Sequence, residues 1–237
     1  MAIIGFSKEE LKDFFVVILV LAFIASFNEW GEEVFDFGVG IKNFVISLVV
    51  VALSVGLHHL AQRWWADREG LIPEHRVWWF GLLIGLLLVF FSNGKIKWYA
   101  ATALYLRHTL SRIGRVPYYP KATQIGIVTL MGLLANAVLV LLARVGQPLL
   151  GQALANKLFY FNILFALLSL LPIPPLDGSR VFFASRPIYV FAFLSISAYL
   201  LLAYVFGTIS IMWSVIIGMV GWLIFQLAFE RGAWKWP

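Results

Sequence analysis

One carboxylate and a pair of histidines are the residues that could do chemistry in this otherwise apolar chain. Asp177 closes residues 171–180, L-P-I-P-P-L-D-G-S-R, at the end of an apolar segment that begins near Ala153. The prolines remove backbone donors and stop the helix, and Gly178 lets the chain turn. An acid placed so close to the middle of an apolar run is a candidate site by default, although P-P-L-D-G is also a good turn at a membrane surface. Earlier in the chain, S-V-G-L-H-H-L-A-Q-R-W sets His58, His59 and Gln62 near the end of a second apolar run. The i, i+4 spacing puts positions 58 and 62 on one helix face, with His59 about 100° round from His58. These are the residue types of an acid–base or ligand site, and what meets Asp177 decides which.

Composition defines the setting for that chemistry. With 62% hydrophobic residues, 13% charged residues and a mean hydropathy of +0.90, the chain reads as a polytopic membrane protein. It contains no cysteine, which removes disulfides, thiolate metal sites and a cysteine nucleophile. The net charge of +6 comes from Lys and Arg in loops between apolar segments. It is read as a topology signal, and nucleic acid is excluded as a partner.

The elements that must position the site follow in order. A mixed-charge head, residues 1–13, precedes an apolar run from Phe14 to about Phe27, taken as a retained first transmembrane helix because its n-region and cleavage signals are poor. Glu29, Glu32, Glu33 and Asp36 form an acidic connection to the second run, about 43–65. Residues 77–91 are apolar but too short for a full crossing. Residues 93–121 are basic and broken by Gly94, Gly114, Pro117 and Pro120, which predicts strands or an interfacial helix. Further helices are expected over 125–143, 154–171, 188–206 and 209–229, with a tight join at Gly207 and an aromatic, basic C-terminal anchor.

Charge selects among topologies. If 77–91 does not cross and the N-terminus is cytoplasmic, all of the 18 Lys and Arg lie inside except Lys42, Arg144 and Lys157. A lone crossing by 77–91 spoils that asymmetry and separates His58 from Asp177. Six full crossings are therefore expected, with both termini cytoplasmic and 77–91 re-entrant, buried, or paired with a second partial crossing.

With His58 and Asp177 on one side, the chain resembles the site-2 protease family of intramembrane zinc metalloproteases. Residues 170–178, L-L-P-I-P-P-L-D-G, match the family motif close to N-L-L-P-x-x-P-L-D-G, whose Asp is a zinc ligand. Ser169 stands at the usual Asn, and Gly132 and Asn136 resemble the G-P-x-x-N helix with Leu133 for Pro. The resemblance implies an all-α, single-domain membrane fold with His58 and Asp177 as metal ligands. Asn136, Asn162, Ser169, Pro172 and Gly178 are implied in the substrate groove or behind the ligands. The family's H-E-x-x-H departs most: His59 occupies the general-base position and Gln62 that of the second His ligand. A carboxamide is a much poorer zinc donor than imidazole, and the carboxylate base is missing, so zinc is expected to be weak or absent.

Three readings follow. The first is a pseudoprotease that binds transmembrane segments or partner membrane proteins. The second is an active metalloprotease with His58, Asp177 and Gln62 on zinc, and His59 or an outside residue as base. The third is a scaffold or transporter sharing only the fold. His75 and His108 read as solvated surface histidines in basic loops. Trp78, Trp79, Trp213, Trp222, Trp234 and Trp236 read as interface belt or core, and the basic stretch Lys95 to Lys121 as either an inside loop or a surface for anionic membrane lipids.

Overall fold

Helix ends are set by side-chain caps that lie outside the apolar runs. The computed structural model describes residues 6–31, 34–108, 120–206 and 210–230. Helix α1, Lys8–Ser26, begins inside the charged head because Ser7 and Glu10 form a capping box. Helix α2, Phe37–Arg68, starts where Asp36 accepts from the Val39 amide, so the acidic connection supplies its cap. At 32 residues it is about 48 Å long, more than a bilayer core needs, and its surplus carries His58, His59 and Gln62 towards the polar boundary.

The chain then forms a two-stranded antiparallel sheet, β1 (Leu71–Val77) with β2 (Thr102–His108), in a register that sets Leu71 opposite His108 and Val77 opposite Thr102. That last pair fixes the ambiguous segment: what leaves at Val77 comes back beside it. Helix α3, Trp79–Phe91, runs out along α1, its Phe90 ring 5.2 Å from that of Phe27. The chain turns at Asn93 and Gly94, both at positive φ, and returns through an irregular segment in which Tyr99, Ala100 and Ala101 are buried. The Trp78 amide donates to the Ala101 carbonyl at 2.8 Å, closing the hairpin. The segment 77–91 thus leaves and returns on the same side of the sheet. The strands anticipated in the basic stretch are found as β2, while Gly114 and Pro117 lie outside the described residues.

Helices α4 (Ala122–Val145), α5 (Gln147–Leu150), α6 (Gln152–Ser169), α7 (Asp177–Ala184), α8 (Arg186–Phe206) and α9 (Ser210–Phe225) complete the chain, with a π-helical turn at Gln226–Glu230. Gly207, Trp234 and Trp236 lie outside the described residues. The main apolar core joins α1, α2, α4, α6 and α8 through Leu21, Val51, Leu133, Phe165 and Leu200, each fully buried. Phe15, Val49, Val138, Trp79 and Trp213 point outward, which suits lipid as the surrounding solvent.

Four of the described helices are long and apolar enough to cross a membrane: Phe37–Arg68, Ala122–Val145, Arg186–Tyr204 and Met212–Phe229. The other two of the six expected crossings fall short on composition. Helix α1 carries Lys8, Glu9, Glu10, Lys12 and Asp13, and α6 carries Gln152, Asn156, Lys157 and Asn162.

The hairpin gives a direct topological test in a chain without native cysteine. Single cysteines at Glu74 and Arg107 are expected to label from the same membrane side with an impermeant maleimide. Labelling from opposite sides removes the hairpin.

Candidate functional site

Four elements bring the candidate site together. His58 projects from α2 between α4 and the start of α7: its Nδ1 lies 2.5 Å from Asn136 Oδ1 and its Nε2 2.8 Å from Asp177 Oδ2. Asp177 is the first residue of α7, placed there by the turn after α6, in which the Leu176 amide donates to Ile173 O at 2.8 Å. Two glycines make the approach possible. A Cβ on Gly132 would sit 2.5 Å from His58 Nε2, and one on Gly178 would run into the Leu170 carbonyl.

Carbonyl oxygens, which can only accept, fix the direction of the hydrogen bonds. Asn162 donates from Nδ2 to Leu158 O at 2.8 Å and to Ser54 Oγ at 2.9 Å, so its Oδ1 accepts from Asn136 Nδ2 at 2.8 Å. That turns Asn136 Oδ1 towards His58, whose Nδ1 must therefore carry hydrogen and donate. On the other side of the imidazole, Nε2 lies within hydrogen-bond distance of Asp177 Oδ2, 2.8 Å away. The ring nitrogen and the carboxylate oxygen thus face one another directly.

Gln62 extends the chain. Its Nε2 donates to Asp177 Oδ2 at 3.3 Å and to Thr129 O at 3.4 Å, leaving Oε1 to accept from His75 Nε2 at 2.8 Å. His75 in turn reaches Glu10, with Nδ1 at 3.0 Å and its backbone amide at 3.2 Å from Oε1, and Arg63 pairs with the same carboxylate oxygen. From Ser54 to Arg63 this is one continuous buried polar chain.

His75 is a correction. Expected at the surface, it is 4% exposed on β1, and burial, with the His58, Arg63 and Arg180 charges adding to it, holds its imidazole well below the usual range. The His59 ring stacks on it at 3.8 Å. His59 Nε2 is buried without a protein hydrogen bond, beside a cavity of about 10 Å³ lined by Glu10, His59 and His75. His59 therefore faces His75 and the α1 side, while the reactive edge of His58 faces Asp177. Asn136, Asn162 and Ser169 are buried, the first two behind His58, whereas Pro172 is exposed. Backbone alone is described for His108.

The donor set was tested against a three-ligand zinc centre, and it does not fit. Among the described residues no group of three His, Cys, Asp or Glu side chains converges as a metal site. His58 and Asp177 are joined to one another, and at the third corner Gln62 turns its amide nitrogen, not its oxygen, to Asp177. Glu10 and His75, which the chain of hydrogen bonds adds, were missed in sequence because neither sits in the matching motifs.

Fold and site together define a mostly helical membrane protein with a buried His–Asp pair at the end of a long helix. Over 182 residues, 76% of this chain and 87% of the other, it is 27% identical to a Methanocaldococcus jannaschii protein named "putative zinc metalloprotease". No protein-family model and no solved structure matches the chain.

Neighbouring acids give the test of the network. Glu10→Ala leaves Arg63 and His75 buried beside a missing charge and is expected to cost about 3–5 kcal/mol of stability. Glu9→Ala, which removes an exposed carboxylate paired to Arg76, is expected to leave the thermal midpoint unchanged. Equal midpoints for the two variants contradict the buried network.

Proposed function

We propose that this chain is a site-2 protease-like membrane protein that has given up zinc peptidase chemistry and acts by binding transmembrane segments or partner membrane proteins. The observation that carries the reading is the hydrogen-bonded closure of the polar centre. His58 Nε2 and Asp177 Oδ2 are in direct contact at 2.8 Å, and Gln62 is used on both sides of its carboxamide. The position of the general base holds His59, stacked on His75 and turned away from the His58–Asp177 contact. Without a hydrolytic centre, the recognition surfaces of such a fold are its remaining means of action. The similarity to a protein named as a zinc metalloprotease supports descent from a peptidase scaffold and keeps the active enzyme as the competing reading.

In the same proposal α1 and α6 cross with the four longer helices, giving six crossings plus the α3 hairpin. The asymmetry of Lys and Arg places both termini, and the face bearing His58 and Asp177, in the cytoplasm.

Elemental mass spectrometry of the purified protein tests the reading. No stoichiometric zinc is expected in the wild type, in His58→Ala or in Asp177→Ala. The double substitution His59→Glu with Gln62→His, which rebuilds a base and a third ligand, is expected to acquire about one zinc per chain. Stoichiometric zinc in the wild type that disappears in both alanine variants overturns the proposal in favour of an active metalloendopeptidase, with His58, Asp177 and Gln62 on the ion.

A further inference from the structure

The other end of α2 holds a second polar feature, unconnected with the chemistry of His58. Ile46 precedes His58 by about 18 Å along the helix axis. Beside it lies an open-sided cavity of about 440 Å³, lined by the ends of α1, α2 and α6 and by the segment that returns from α3. Its lining is mostly apolar, Ile46, Phe161 and Leu164 among others, with a few converging polar groups, Lys97, Lys157, Glu29 and Tyr99. A predominantly apolar pocket with a small polar cluster at one side is the usual form of a site for an amphiphile.

The two lysines are not equivalent. Lys157 is committed within the protein: it ion-pairs with Glu29 and donates to Ser47 Oγ at 2.8 Å and to Asn43 O at 3.2 Å. Lys97 donates to the Ala25 carbonyl at 2.7 Å and forms no ion pair among the described residues. Burial pushes its ammonium below the usual lysine range, with Glu29 opposing that shift and Lys157 adding to it. A half-buried cation next to a second cation, whose hydrogen bond among the described residues goes to a neutral carbonyl while Glu29 is held by Lys157, is an arrangement that an anion completes. Tyr99 is buried alongside, its ring 4.6 Å from Phe161, so the polar cluster passes directly into the apolar wall.

We propose that this cavity binds the phosphate head of an anionic lipid, with the phosphate at Lys97 and Tyr99 and an acyl chain along Ile46, Phe161 and Leu164. The ligand would tie the segment that returns from α3 to the N-terminal ends of α2 and α6.

The test is lipid titration of the full-length protein in detergent, followed by native mass spectrometry, with phosphatidylglycerol, phosphatidylcholine and inorganic phosphate as probes. Phosphatidylglycerol is expected to bind in preference to phosphatidylcholine, and Lys97→Ala to weaken it by about 10- to 100-fold, as loss of a charged hydrogen-bond donor does. Ala153→Trp, which leaves both lysines in place and fills the cavity from its rim, is expected to weaken it as well. Because neither variant touches the Lys157–Glu29 pair, a folding defect is not built into the test. Equal binding of the two lipids, or phosphatidylglycerol binding unchanged in both variants, overturns the proposal. Inorganic phosphate competing as strongly as the lipid overturns the acyl-chain part.

Discussion

A polar atom buried in an apolar core is costly without a hydrogen-bond partner, and the centre of this protein is organised by that constraint. Each unpaired group inside an apolar, membrane-embedded core costs about 1–3 kcal/mol, and a charge costs more. The chain from Ser54 through Asn162, Asn136, His58, Asp177, Gln62 and His75 to Glu10 and Arg63 passes from one polar group to the next, with the His75 backbone amide donating to Glu10. It draws on α1, α2, β1, α4, α6 and α7, so satisfying one side chain fixes the position of the next element. Apolar packing between these helices gives close contact but little direction, because lipid is as apolar as they are. The polar chain supplies the direction.

The turn before α7 shows how local sequence serves that chain. Three prolines between Leu171 and Leu176 end α6 and leave no amide to continue it. Gly178 then lets the first turn of α7 press against the Leu170 carbonyl, which also accepts from Tyr189 Oη at 3.2 Å. Ser179 closes the turn by donating to Leu176 O at 2.7 Å. The result holds Asp177 still at 8% exposure, facing α2 rather than the membrane surface. Of the two meanings that P-P-L-D-G carries in sequence, surface turn and site, the structure uses both: a turn whose purpose is to aim one carboxylate inward.

Much of this was legible beforehand. Hydropathy located the long helices, with α2 starting six residues before the expected run, and while charge asymmetry put His58 and Asp177 on one membrane face, it was the resemblance that implied their meeting. The misses have physical causes. Alpha-helix α1 starts at Lys8 rather than Phe14 because Ser7 and Glu10 cap it, and S-K-E-E is the sequence form of that box. His75 was read as a loop residue because charge was weighed above periodicity. In L-I-P-E-H-R-V the alternate residues Leu71, Pro73 and His75 are buried on one face. The burial of Glu10 could not be read at all, since its partners come from β1 and from α2, far along the chain.

Gln62 is the residue on which the resemblance to a peptidase and the observed site part company, and its fit argues that the departure is settled rather than accidental. A carboxamide offers two donor hydrogens and an acceptor at the end of a flexible stem. Here the donors go to Asp177 and to the Thr129 carbonyl of α4, and the acceptor goes to His75 of β1. A histidine in its place has one donor and one acceptor when neutral, and could not serve three partners at once. The sheet that presents His75 and the helix that presents Gln62 are thus matched to each other. A metal ligand at position 62 would have to forgo at least one of these bonds. Hydrogen bonding at this centre joins α2, α4, α7 and β1.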